Sequence, residues 1–135
     1  MIGQLSMTDK NKAAFKLKGL PHIYWLNLDA DTQRRNWMEE QFEYWQIENH
    51  TRIAGYDGRE DDVSDNLKGL FPDQVTQGEL GCCMTHLKAI KEFYENSDDP
   101  YCIIAEDDVN LNIAHYWNFT WTEFFGLLPY DWDCV

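Results

Sequence analysis

Basic residues are scarce in this sequence. Lysine and arginine total 11 against 24 aspartates and glutamates in 135 residues, for a formal net charge of −13. A surface this negative repels nucleic-acid phosphates and anionic lipid, so no nucleic-acid partner is expected. It also repels an anionic substrate such as a nucleotide diphosphate, unless a cation or a local basic patch intervenes. Long apolar runs are missing too. No stretch approaches the roughly 20 apolar residues needed to span a bilayer, so no transmembrane segment is expected. Met1 to Gly19 holds four lysines and no apolar core, which is not the pattern of a secretory leader and predicts a cytoplasmic protein. The four cysteines (Cys82, Cys83, Cys102 and Cys134) show no metal-ligand spacing. Two of them are adjacent, where a disulfide is strained. Reduced, buried thiols are the expectation. There is no internal repeat. What the chain does have is 44% hydrophobic and 15% aromatic residues, enough for a packed core and unlike a disordered segment.

Residues 1–20 read as a flexible lead-in, and 21–135 as one domain or part of one. His22 to Leu28 (HIYWLNL) is a short apolar run typical of a buried strand. Asp31 or Thr32 is placed to cap a helix. Met38, Phe42 and Trp45, at steps of four and three, give that helix an apolar face. A second strand is predicted over Thr51 to Ala54, followed by a turn at Gly55 to Gly58. Residues 59–77 are acidic and read as a surface loop. Glu79 to Tyr94 has the strongest helical pattern, with Leu80, Cys83, Leu87, Ile90 and Tyr94 in a stripe. Gly81, Cys82 and Thr85 are small there and permit close packing. Asn96 to Pro100 stops the helix, and Tyr101 to Ala105 is predicted as a buried strand. A third helix is expected over Ala114 to Leu127, then a turn, then a strand starting at Cys134. Strands alternating with helices predict an α/β fold with a mostly parallel sheet. The chain stops where a strand begins, which predicts a C-terminal truncation.

The most informative segment is YCIIAEDDVNL, residues 101–111. It places three consecutive carboxylates at the carboxyl end of a hydrophobic strand, the edge where open α/β sheets bind ligands. Adjacent carboxylates repel one another, so they need a cation or full solvation. Strand alternation would point Glu106 and Asp108 the same way, toward one Mn²⁺ or Mg²⁺ that bridges to phosphate oxygens. The bland alternative is a solvated acidic turn. His86 lies mid-helix and is a candidate for phosphate contact or proton transfer, or else a packing residue. Arg34 and Arg35 open the first helix and suit a diphosphate, or else form a solvated face.

Four segments in order resemble glycosyltransferase family 25, which includes lipooligosaccharide galactosyltransferases and collagen galactosyltransferase domains. They are IYWLNLDADTQRR, TRIAGYDGRE, QGELGCCMTHLKAI and YCIIAEDDVNL. Thr85 stands where the family usually has serine, and Ala30 where arginine is common. The resemblance implies a GT-A type, Rossmann-like sandwich and a UDP-sugar donor, most often UDP-galactose. It implies inverting transfer to a glycan or lipooligosaccharide acceptor. Glu106 and Asp108 would hold the metal. Asn27, Asp29, Arg34, Arg35, Asp57, His86 and Asp107 would line the donor site. It also implies a further C-terminal half carrying the acceptor site and the catalytic base, for which no residue here is identified. The competing expectation is a non-catalytic nucleotide-sugar-binding fragment or pseudoenzyme.

Overall fold

The computed structural model describes residues 10–69 and 73–135. Its frame is a mixed α/β arrangement around a small, open, all-parallel sheet. Three strands, β1 (Ile23–Asn27), β2 (His50–Ala54) and β3 (Ile103–Glu106), lie in the order β2-β1-β3. Ile23 is in register with His50 on one side and with Ile103 on the other. All five residues of β1 are buried. A parallel strand covered on both faces needs an almost continuous apolar sequence, which IYWLN supplies.

Strand alternation divides the core. Ile23 and Trp25 meet Met38 and Phe42 of helix α1 (Thr32–Tyr44). Tyr24 and Leu26 meet Ile53 and also Ala89 of helix α2 (Gln77–Asn96). The two helices therefore cover opposite faces of the sheet. Asp31 caps α1 by accepting from the Arg34 backbone N–H at 3.1 Å. Gln41, fully buried, donates to the Val109 carbonyl at 3.0 Å and accepts from the Leu111 N–H at 2.8 Å. This one amide fastens α1 to the backbone that follows the three carboxylates.

Helix α2 begins two residues earlier than its periodic pattern suggests. Thr76 and Glu79 form a reciprocal capping box that satisfies the first N–H groups. Its buried face also differs from the expected stripe. Leu80 is buried as predicted, but the other buried residues are Gly81, Thr85 and Ala89. Cys83, Leu87, Ile90 and Tyr94 are exposed. The reason is closeness of approach. A Cβ on Gly81 would lie 2.6 Å from the Tyr56 carbonyl oxygen, so only small residues fit against the turn after β2. The expectation of buried thiols also fails, and for the two cysteines of α2 the reason is that small residues take the buried face. Cys82 and Cys83 lie off this contact face and are exposed, as is Cys134, while Cys102 is half-buried.

The predicted third helix is broken in two. A 3-10 helix covers Leu111–Tyr116, and helix α3 spans Trp121–Gly126 behind a second capping box, Thr120 with Glu123. The extended backbone of Trp117 separates them. Cys134 and Val135 join no strand. Of the lead-in, residues 1–9 lie outside the described residues, and Ala14–Leu17 forms a 3-10 helix whose Leu17 packs on Trp45 and Ala114. Among the described residues no helix is long and apolar enough to cross a membrane.

His50 gives the fold a pH dependence. Its ring stacks on Phe42 at 4.2 Å, and its Nδ1 accepts from Trp25 Nε1 at 3.3 Å. Burial, then the nearby His22, push its pKa below the usual histidine value, against a smaller opposing pull from Glu39. Protonation also removes the acceptor that Trp25 uses. The unfolded chain therefore takes up the proton more readily than the folded one, and stability present above the ordinary histidine pKa of about 6.5 is lost as pH falls. The thermal midpoint is expected to drop between about pH 7.5 and pH 5.5, and to drop less in His50→Gln. Equal slopes in the two proteins would contradict this.

Candidate functional site

The carboxyl ends of all three strands open into one cleft of about 340 Å³. Asn27, the last residue of β1, organises its floor. This side chain is 2% exposed and uses both ends of its amide. Its Nδ2 donates to Asp107 Oδ2 at 2.7 Å and to the Asp31 carbonyl at 3.1 Å. Its Oδ1 accepts from Arg52 Nε at 2.9 Å and from Arg35 Nε at 3.4 Å. Asp29, just beyond, takes Arg52 through its carboxylate and Arg35 through its carbonyl, the latter at 3.1 Å. The Arg52 guanidinium holds the exposed Asp29 carboxyl below the usual aspartate range. Arg34 Nη1 reaches Asp107 Oδ1 at 2.9 Å, and that contact raises the arginine pKa further. Five of the residues expected at a donor site (Asn27, Asp29, Arg34, Arg35 and Asp107) thus form one connected network.

Arg52 joins them and is the main addition. It sits on β2, opposite Trp25 in the register. Nothing in its local sequence shows that neighbouring strands would carry it to Asn27 and Asp29.

The three consecutive carboxylates do not share one environment. Strand β3 ends at Glu106, and Asp107 and Asp108 lie in a turn, so strand alternation stops applying there. Glu106 lines the main cleft beside α2. Asp107 is buried between Asn27 and Arg34. Asp108 lines a second pocket on the α1 side, with Gln33 and Trp37. Asp107 borders both pockets.

On the α2 side, His86 Nε2 lies 3.1 Å from Glu106 Oε1, and the Cys82 thiol donates to the same oxygen at 3.9 Å. Burial, and then Glu106, push the Cys82 thiol pKa up. One donor atom from each of Cys82, His86 and Glu106 lies within 4.8 Å of the others.

The remaining wall is the turn after β2. Thr85 Oγ1 accepts from the Tyr56 N–H at 2.9 Å and donates to the Gly81 carbonyl at 2.7 Å, stitching turn to helix. Asp57 lines the cleft and is paired with Arg59, which contacts both of its oxygens at 2.9 and 2.8 Å. These hydrogen bonds lower the Asp57 pKa to about 2. The arrangement therefore combines a recessed polar floor, arginines on one flank, an acidic strand end, and a backbone turn held close to a helix. It can bind a polar, phosphorylated ligand provided the surrounding negative charge is offset.

The family model for glycosyltransferase family 25 (LPS biosynthesis protein) matches residues 20–121, about three quarters of the chain. No curated protein and no solved structure gives a significant match. The matched span includes all three strands, α1, α2 and every residue of the Asn27 network. A family of this kind implies a sugar donor and an acceptor, and on this match the chain belongs to glycosyltransferase family 25.

Proposed function

We propose that this domain binds a UDP-sugar at the carboxyl end of its sheet, with the sheet forming part of a GT-A type, Rossmann-like fold. The transferred sugar is a hexose, with galactose the first candidate. The acceptor is a glycan or lipooligosaccharide, and transfer proceeds with inversion. The observation that carries this reading is the Asn27 network. It ties three arginines to the end of β1, one of which, Arg34, lines the cleft beside an acidic strand terminus.

Each part has a defined task. Asn27 and Asp107 hold the floor rigid, so the cleft is preorganised rather than assembled by the ligand. Arg34 keeps half of its side chain exposed while Nη1 is anchored on Asp107 and Nε lies 3.6 Å from Asp31, leaving the Nη2 donors for a phosphate. Arg35 and Asp29 border the same strand end, and Asp57 faces it across the turn. His86 sits at the rim, placed to contact phosphate. The close packing of the Tyr56 to Gly58 turn on α2 fixes one wall of the cleft. Glu106 and Asp108 line adjoining pockets that meet at Asp107, and both are exposed and offer only oxygen donors, which suits Mn²⁺ or Mg²⁺ held by one of them directly and by the other through a retained water. When bound, such an ion neutralises charge that grows on the UDP leaving group. The strongly acidic chain makes that neutralisation necessary for any diphosphate.

Calorimetric titration of UDP with and without Mn²⁺ tests the proposal. Binding is expected to tighten by roughly tenfold or more with the metal, a coupling of about 1.4 kcal/mol. Asp108→Ala is expected to abolish the difference. Equal affinity in both conditions would remove the metal-assisted reading.

A further inference from the structure

We propose that Cys82, His86 and Glu106 form a transition-metal site with a preference for zinc over manganese or magnesium. The inference does not rest on the transferase reading, although it draws on Glu106 and His86, which that reading also uses, and on Cys82, which lines the same cleft. Cys82 and His86 are four residues apart on α2, so helical geometry stacks their side chains on one face. Strand β3 ends opposite that face and delivers Glu106. His86 Nε2 and Cys82 Sγ both approach the same Glu106 oxygen, at 3.1 and 3.9 Å, and all three donor atoms lie within 4.8 Å of one another.

That spacing is close to what a tetrahedral ion requires. Bonds of about 2.3 Å to sulfur and about 2.1 Å to nitrogen or oxygen separate the ligands by roughly 3.3–3.6 Å. The side chains of His86 and Glu106 are 37% and 55% exposed, so small rotations close the gap and a water can complete the fourth position. The donor chemistry selects the metal. A thiolate and an imidazole favour zinc or cobalt, whereas manganese and magnesium prefer oxygen. Cys82 and Glu106 line the main cleft while Asp108 borders the other pocket, so Asp108 stands outside this ligand set.

Cobalt substitution reads this directly. The full chain, stripped with a chelator and titrated with Co²⁺, is expected to show tetrahedral ligand-field bands and a thiolate-to-cobalt charge-transfer band, both removed by Zn²⁺. Cys82→Ser is expected to lose the charge-transfer band, and His86→Gln to weaken cobalt binding by roughly tenfold or more. Cys83→Ser and Asp108→Asn are expected to keep the band. The Asp108 variant separates this site from the manganese-dependent UDP binding, which it should lose. Absence of the band in the unmodified chain, or its survival in Cys82→Ser, would overturn the assignment. Should a variant fail to fold, alkylation of the unmodified chain decides. Zn²⁺ is expected to slow modification of Cys82 while Cys134 reacts at an unchanged rate, and lack of protection refutes the site.

Discussion

Gly58→Ala is expected to destabilise the chain by about 3 kcal/mol, at the upper end for an overpacked methyl group. A Cβ at this position would lie 1.7 Å from the Gln77 carbonyl oxygen and 2.3 Å from its carbon. Both are backbone atoms in the first turn of α2, so neither can rotate away. Relief requires the turn and the helix to separate. Gly81 supports the same contact from the other side, with its missing Cβ only 2.9 Å from the Gly58 nitrogen. Against a total stability of about 5–15 kcal/mol for an ordinary domain, this is a large loss. Urea unfolding measures it. Gly78→Ala, one residue inside the helix, is the control. Its added methyl meets nothing closer than 3.9 Å, and it should be neutral or stabilising by up to about 1 kcal/mol. If Gly58→Ala unfolds at the same urea concentration as the unmodified chain, the close packing described here is wrong. UDP binding should weaken in parallel, because the displaced turn is a wall of the cleft.

Asn27→Ala is expected to cost about 2–4 kcal/mol, and to abolish ligand binding even where the chain remains folded. The amide is almost completely buried and joins five groups: Asp107, the Asp31 carbonyl, Arg35, Arg52, and through Asp107 also Arg34. Truncation leaves a buried carboxylate without its shortest hydrogen bond and two guanidinium groups short of an acceptor. The arginines are partly exposed and can rehydrate. Asp107 is 8% exposed and largely cannot, so most of the cost falls on it. A double-mutant cycle with Asp107→Ala tests this attribution. The two losses should be less than additive by more than about 0.5 kcal/mol. Strict additivity would mean that the two side chains act independently, contrary to the network.

Much of the frame is legible along the chain, because it depends on short-range rules. HIYWLNL predicts a buried strand, and β1 is buried on both faces at the centre of the sheet. Asp31 caps α1 as expected, and Met38 and Phe42 turn to the core. The ordered segments that resemble family 25 are confirmed by a family match over residues 20–121. Of the expected donor residues, Asn27, Asp29, Arg34, Arg35 and Asp107 come together because they sit at the ends of neighbouring elements.

Other features escape a linear reading because they depend on distances between elements. Hydrophobic spacing alone favours the stripe of Leu87, Ile90 and Tyr94, yet α2 turns Gly81, Thr85 and Ala89 inward. A helix lying this close to a backbone turn must present small residues, whatever its apolar periodicity. Glu106 and Asp108 part company because the strand ends between them and a turn takes over. Arg52 stands in one of the segments that resemble the family, but neither it nor Cys82 carries a local sign of its partner, which lies 25 and 24 residues away along the chain.

Local propensity and periodicity thus determined the order and kind of the elements from β1 to β3, the cap of α1, and the placing of acids at a strand end. Only the tertiary structure decided which face of α2 is buried, which cleft each carboxylate serves, and that a thiol, an imidazole and a carboxylate meet. The first set follows from contacts within a few residues. The second depends on how closely two separately formed surfaces can approach, and that distance is set by backbone and small side chains far apart in sequence.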